Sequence, residues 1–262
     1  MKKTLILLTV ALFTVSAFSQ RGNRKELAKW KDYNVGKIVF KDASPETKGA
    51  QIYHAIIPDP DAYISEQARR VLNTLYFSPE DSIPGIKQLN YTIKDYNGIS
   101  AKGGQPPVVG IEYSTRWIER SFADGDTAKL HFETKGVLFH ELTHAYQLEP
   151  QGIGNYGNNR TFWAFIEGMA DAVRYLNGGF TINDRPKGGF YTDGYRTTGF
   201  FFAWLAKTKD PDFIRKINRS TLEVIPWSFE GAFKHIFGES CDIMELWNEY
   251  QVAMGDRLRV VK

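Results

Sequence analysis

The sequence predicts an α+β fold, and three observations carry that reading. Strand-like segments are confined to the first half of the chain, and helical periodicity runs almost unbroken through the second. Between them lies GVLFHELTHAYQ, residues 136–147, a helical pattern that carries His-Glu-x-x-His. With 262 residues, 42% hydrophobic and 24% charged, the chain has the material for one globular domain with a sizeable core. No repeat, heptad or low-complexity tract breaks it.

The chain opens Met1-Lys2-Lys3, followed by an apolar run over residues 5–18 and by Ala17-Phe18-Ser19 before Gln20. That is the pattern of a cleavable secretory signal. Residues 1–19 are therefore set apart, with cleavage expected near Ser19 and Gln20. Residues 20–262 are expected to form a single domain, with an N-terminal lobe over 35–148 and a helical C-terminal lobe over 149–262. The apolar run is short for a membrane span, no later stretch is long enough for one, and no cysteine stands at the cleavage point to take a lipid. The expected location is the periplasm or the exterior. Cys241 is the only cysteine, which excludes an intrachain disulfide. The formal charge is +3, with 33 Lys+Arg against 30 Asp+Glu, and without Lys2 and Lys3 it is 31 against 30, or +1. Basic residues stand singly among acids, so no nucleic-acid footprint is present.

Residues 21–34 are polar and are expected to dock through Trp30. Ile38, Val39 and Phe40 between polar ends mark a first strand at 37–41. Ser44-Pro45 through Gly49 is a turn, and residues 52–57 are a short apolar stretch ended by Pro58-Asp59-Pro60. Ile64, Ala68, Val71, Leu72 and Leu75 recur at helical spacing over 61–76. Residues 77–85 read as a loop, 89–96 as an alternating strand, and 98–107 as a long Gly-rich loop bordering the site. A further strand is expected at 108–113 and a helical turn at 117–122. Beyond residue 126 the pattern is helical, broken at 149–160, 177–191 and 222–227.

At about 100° per residue, His140 and His144 lie roughly 40° apart on one side of their helix. Glu141, Gln147 and Gly136 share that polar half, while Leu138, Phe139, Leu142, Ala145 and Tyr146 fill the other. Two imidazoles one turn apart can reach one metal ion while the opposite face enters the core. The chain has five histidines, and His54, His131 and His235 have no companion at ligand spacing.

A zinc held by two histidines needs a third protein ligand. The next helix, residues 161–177 with Thr161 as N-cap, carries Ile166-Glu167-Gly168-Met169-Ala170-Asp171. Glu167 and Asp171 are four apart on one face of an otherwise apolar helix, and buried carboxylates need partners. Glu167 is read as the third ligand and Asp171 as the acceptor of an imidazole N–H. Two alternatives stand beside this. The carboxylates could pair with Arg174 and Arg160 as structural ion pairs, or Asp171, on its shorter arm, could take the metal. Gly168 costs about 1 kcal/mol relative to Ala in mid-helix, and close approach to the histidine helix is the expected reason.

Zn²⁺ in such a site polarises a carbonyl and acidifies water. Glu141, next to a ligand and roughly 100° around the helix, is placed to act as general base. Tyr195 opens a very apolar helix with Phe200, Phe201, Phe202 and Trp204, and is the candidate oxyanion donor, ahead of Arg196, Tyr156 and Tyr191.

HELTHAYQ, followed by FIEGMADAVR and then DGYRTTGFFFAWL, resembles the plant basic secretory protein family of HExxH zinc peptidases. In the wider group, a glutamate on the following helix completes the site. The resemblance extends over most of the chain from the first strand onward and places a Gly-Tyr pair at Gly194-Tyr195. It implies a zincin-like fold: a twisted mixed sheet with helices and the HExxH helix, then a mostly helical lobe. It also implies secretion and hydrolysis of protein or peptide substrates. The nearly neutral mature charge and the bacterial style of the signal keep the family's defence roles out of the expectation. Substrate is expected as a strand added along 108–113. No nucleic-acid or membrane partner is expected. A non-catalytic secreted binding protein on the same fold is the competing function, and the intact Glu141 argues against it. A di-metal carboxylate oxidase is the third; the early strands and the lack of a second Glu-x-x-His weigh against it.

Overall fold

Alternation along two strands of a four-stranded sheet builds the N-terminal part. A computed structural model describes residues 26–258, so the expected signal at 1–19 lies outside the described residues. Strands β1 (Lys37–Asp42), β2 (Gln88–Lys94), β3 (Ser100–Gln105) and β4 (Val108–Ser114) form one sheet in the order β1-β2-β4-β3. β1, β2 and β4 run parallel, and β3 pairs antiparallel with β4. Leu89, Tyr91 and Ile93 of β2 and Val109, Ile111 and Tyr113 of β4 are all fully buried, every second residue pointing into the core. The parallel connection from β1 to β2 is made by α1 (Lys48–Ile56) and α2 (Pro60–Leu75). Asp59 caps α2 on the Ala62 N–H, with Pro60 in the first turn.

After β4 the chain is helical: α3 (Thr115–Ser121), α4 (Thr127–Tyr146), α5 (Arg160–Leu176), a 3₁₀ turn (Ile182–Asp184), α6 (Tyr195–Thr208), α7 (Phe213–Glu223), α8 (Phe229–Phe237) and α9 (Ile243–Ala253). The fold is mixed α+β with a helical C-terminal part, as expected. No described helix is long and apolar enough to cross a membrane. Trp30 docks as expected: it is fully buried and its indole N–H donates to Asn73 at 3.1 Å.

Four expectations are corrected. Residues 98–107 do not form a loop, since 100–105 are edge strand β3. SAKGGQ has no apolar alternation, and its extended state comes from pairing, with Gly103 opposite Gly110. Residues 108–113 are consequently an internal strand, β4, flanked by β2 and β3, so the free edge on that side belongs to β3. Residues 48–56, read as part of a turn and an apolar stretch, form α1, nucleated by the Thr47 side chain on the Ala50 N–H. α5 begins at Arg160 with Asn159 as its cap, two residues earlier than the expected cap Thr161.

Gly168 does mark a close approach, but to a different helix. A Cβ there would stand 2.6 Å from Thr198 Cβ and closer still to Thr198 Cγ2, both on α6. From the other side, a Cβ on Gly199 would meet the Ala172 backbone nitrogen at 2.8 Å. α5 and α6 thus pack through paired glycines, which leaves the polar face of α5 free to meet α4. Around Phe201 of α6 the C-terminal helices close an aromatic core, with Trp247 edge-on at 5.2 Å and Phe233 stacked at 5.9 Å. The segment between α5 and α6 is tied to the chain beyond α9 by Arg185. Its guanidinium makes two parallel hydrogen bonds to Asp256, and both side chains are nearly buried.

Candidate active site

α4 presents His140 and His144 one turn apart beneath β3, and α5 brings Glu167 up to them. The Nε2 atoms of the two imidazoles are 3.0 Å apart. Glu167 Oε2 is 3.3 Å from Nε2 of His140 and 3.5 Å from that of His144. Ligands about 2.0–2.1 Å from a tetrahedral zinc lie about 3.3 Å from one another, so these separations fit such an ion. Glu167 is 3% exposed, and its Oε2 has no hydrogen-bond partner among the described residues. A buried carboxylate oxygen without a partner is costly, and a cation at the meeting point of the three donors would satisfy it. His140, His144 and Glu167 can therefore hold a metal ion.

The far nitrogen of each ring is also held. His140 Nδ1 lies 2.7 Å from Asp171 Oδ1, one turn beyond Glu167 on the same face of α5. The Gln147 amide lies 2.9 Å from His144 Nδ1, while its oxygen has no partner. A half-turn of that amide lets its oxygen accept the Nδ1–H of His144. Both rings then keep the Nε2 lone pair for a metal. Burial lowers the pKa of His140, but Asp171 and Glu167 outweigh it and raise it to about 10. Burial raises that of Glu167, yet the two imidazoles hold it well below the usual carboxylate range.

Glu141 is buried, and its Oε1 accepts a hydrogen bond from Ser100 Oγ on β3 at 2.6 Å. Tyr195 lies across the site. Its half-exposed ring is stacked on His140 at 6.2 Å and stands edge-on to Trp163 at 5.3 Å. Among the described non-glycine residues only Tyr195 has a positive φ, +40°, and a Cβ on the preceding Gly194 would stand 2.5 Å from the Trp163 ring. Such backbone strain, of order 1–3 kcal/mol, persists only where surrounding contacts impose it. Tyr156, from the loop between α4 and α5, donates to Glu167 Oε1. Burial, then that bond, raises its pKa.

The structure separates the expected residues into groups. His140, Glu141, His144, Glu167, Asp171 and Tyr195 come together in one cleft of about 1050 Å³, with β3 along one side. Asp171 sits at Nδ1 of His140, away from the point where the Nε2 atoms meet. Neither arginine pairs with these carboxylates: Arg160 lies over Trp163 at 3.8 Å and donates to Asp193 O, and Arg174 donates to Gly179 O. Arg196 donates to the Asp184 carbonyl, and Tyr191 packs among Phe190, Phe229 and Trp247. His54, His131 and His235 lie beside Asp42, Tyr63 and Glu223. Ser100 carries no signal in the sequence, because nothing in SAKGGQ marks its strand. The place of Gln147 on the histidine face was legible, its bond to His144 was not.

The model of the BSP family, described as a peptidase of plants and bacteria, matches residues 35–250. No match is found among curated proteins or among solved structures. The matched span includes both helices that carry the donor triad, the strand beside them and Tyr195. The chain belongs to this family of plant and bacterial peptidases.

Proposed function

We propose that the protein is a secreted or periplasmic zinc metallopeptidase, with Zn²⁺ held by His140, His144 and Glu167 in a zincin-like domain whose two lobes meet at the cleft. The observation that carries this is the unpartnered Oε2 of Glu167 facing two Nε2 atoms, with Glu141 buried alongside. Zinc supplies a Lewis acid there, which polarises the scissile carbonyl and acidifies water. The chain's own groups do the rest. Glu141 takes a proton from the attacking water and returns it to the leaving amine. Ser100 holds one oxygen of that carboxylate by its hydroxyl and leaves the other to receive the proton. Tyr195 is the donor to the oxyanion, its ring kept over the site by His140 and Trp163. Asp171 and Gln147 orient the two imidazoles. The free edge of β3 receives the peptide as an added strand, in place of the internal β4.

The test is Glu141→Gln. The purified protein should bind about one zinc and cleave a casein-like substrate, and the variant should keep the metal while losing about 10²–10⁴-fold in rate. Correctly folded protein that takes up no zinc, or a Gln variant with full activity, would overturn the reading.

A further inference from the structure

One end of the cleft holds a polar group that the reaction does not use. Arg174, in the last turn of α5, lines the cleft past His140 with its guanidinium set between two surfaces. The Phe180 ring lies 3.9 Å away on one side. On the other is the backbone of Gly136, where a Cβ would stand 2.8 Å from both Nε and Nη2. Gly179 comes in equally close, since its Cβ would lie 2.6 Å from Gly136 Cα, and its carbonyl accepts the Arg174 Nε–H at 2.9 Å. Two glycines therefore make room for one guanidinium.

That guanidinium is seated but underused. The bond to Gly179 is its single hydrogen bond among the described residues. Glu133 Oε2, at 3.6 Å, forms an ion pair with the guanidinium but lies beyond hydrogen-bond reach. Burial pulls the Arg174 pKa down, and Asp171, Glu133, Tyr113 and Asp184 act on it only through space. A desolvated cation, pre-oriented by an aromatic face and with N–H groups to spare, suits a planar anion such as a carboxylate.

The strand direction says which part of a substrate reaches it. β3 starts at Ser100, against Glu141, and its later residues line the cleft together with Glu149 of the loop that follows α4. With the added peptide antiparallel to β3, the pairing that β3 already makes with β4 on its other edge, the part after the scissile bond heads toward Gly136 and Arg174. Gly136 precedes His140 by one turn, about 6 Å along the axis. That is about two residues of extended chain. We propose that Arg174 is a specificity-determining residue that takes a carboxylate carried on the leaving side, within two residues of the cut. The carboxylate is either an acidic side chain or the terminal carboxylate of a short leaving piece. Phe132 and Trp117 line the same cleft as Phe180. Glu133 is the competing anion. This inference rests on the peptidase reading above.

The test uses the zinc-loaded protein and matched fluorogenic peptides. Asp or Glu is compared with Asn or Gln at each of the two positions after the cut, and a free C-terminal acid is compared with its amide. The wild type should favour the carboxylate member of a pair by about ten- to a hundredfold in kcat/KM. The arm that shows the preference identifies its source. Arg174→Gln should bring the ratio to near one, Arg174→Lys should keep part of it, and Glu133→Gln should widen it. Ratios are taken within each variant, so a change in overall activity does not affect them. If Arg174→Gln fails to fold, the Lys and Glu133 variants decide. Cleavage with ratios near one in the wild type, or ratios that neither Arg174→Lys nor Glu133→Gln moves, overturns the role of Arg174. Absence of any cleavage overturns the peptidase reading and this inference with it.

Discussion

Gly168→Ala sets helix propensity against packing, with opposite signs. Propensity alone predicts stabilisation by about 1 kcal/mol, the ordinary gain of Ala over Gly in a helix interior. At this position the new methyl would stand 2.6 Å from Thr198 Cβ, with Thr198 Cγ2 closer still. α5 and α6 must then separate or leave preferred rotamers, which costs about 1–3 kcal/mol and lies at the upper end when backbone has to move. The net expectation is a loss of about 1–2 kcal/mol, or about 2–8 °C in Tm for a chain of this size. Thr198→Ser removes Cγ2 while keeping the hydroxyl that accepts from Gly194 N–H and donates to Tyr191 O. In a double-mutant cycle it should recover about half of the loss, the remaining Cβ accounting for the rest. Because Gly168 follows Glu167, zinc affinity should fall and recover in the same order. Thermal unfolding in excess chelator and a zinc titration of the same four proteins provide the measurement. A Gly168→Ala protein as stable as the wild type or more so, or one that Thr198→Ser leaves unchanged, refutes the packing argument.

Two further outcomes are expected at the site. Asp171→Asn removes the carboxylate at His140 Nδ1 and should weaken zinc binding about 10–100-fold without changing the fold, read by competition with a chelator of known affinity; unchanged affinity would remove Asp171 from the site. Tyr195→Phe should lower kcat by about 10²–10³ with KM and zinc content nearly constant, as expected for an oxyanion donor. Should KM rise instead, Tyr195 serves substrate binding.

What was legible in the sequence was what local periodicity and spacing encode. His140, Glu141 and His144 declare their common face by position alone, and Glu167 and Asp171 do the same four residues apart on an apolar helix. Partners between elements carry no such signal. Nothing in IEGMAD states that Gly168 faces α6 and not α4, because a glycine records that something is near without recording what. β3 was hidden for a related reason: SAKGGQ buries little, and it is a strand only because β4 offers it hydrogen bonds. Without β3, neither Ser100 nor the true free edge of the sheet is legible, and β4 stands in for it. The sequence offers Arg174 only as a partner for carboxylates, since its cradle draws on Gly136, Gly179 and Phe180 from separate segments.

The bond between Arg185 and Asp256 bears on the order in which the site can be completed. Phe180 and Asp184, which line one end of the cleft, belong to the segment that this ion pair anchors, yet Asp256 comes later in the chain than every described helix. The donor triad rests on α4 and α5 alone, whereas the wall beyond it is also fastened to the turn that follows α9. A protein nicked or opened near Asp256 is therefore expected to keep its donor triad while losing the anchor of one cleft wall, so that metal-binding capacity and selectivity could be lost at different stages of damage.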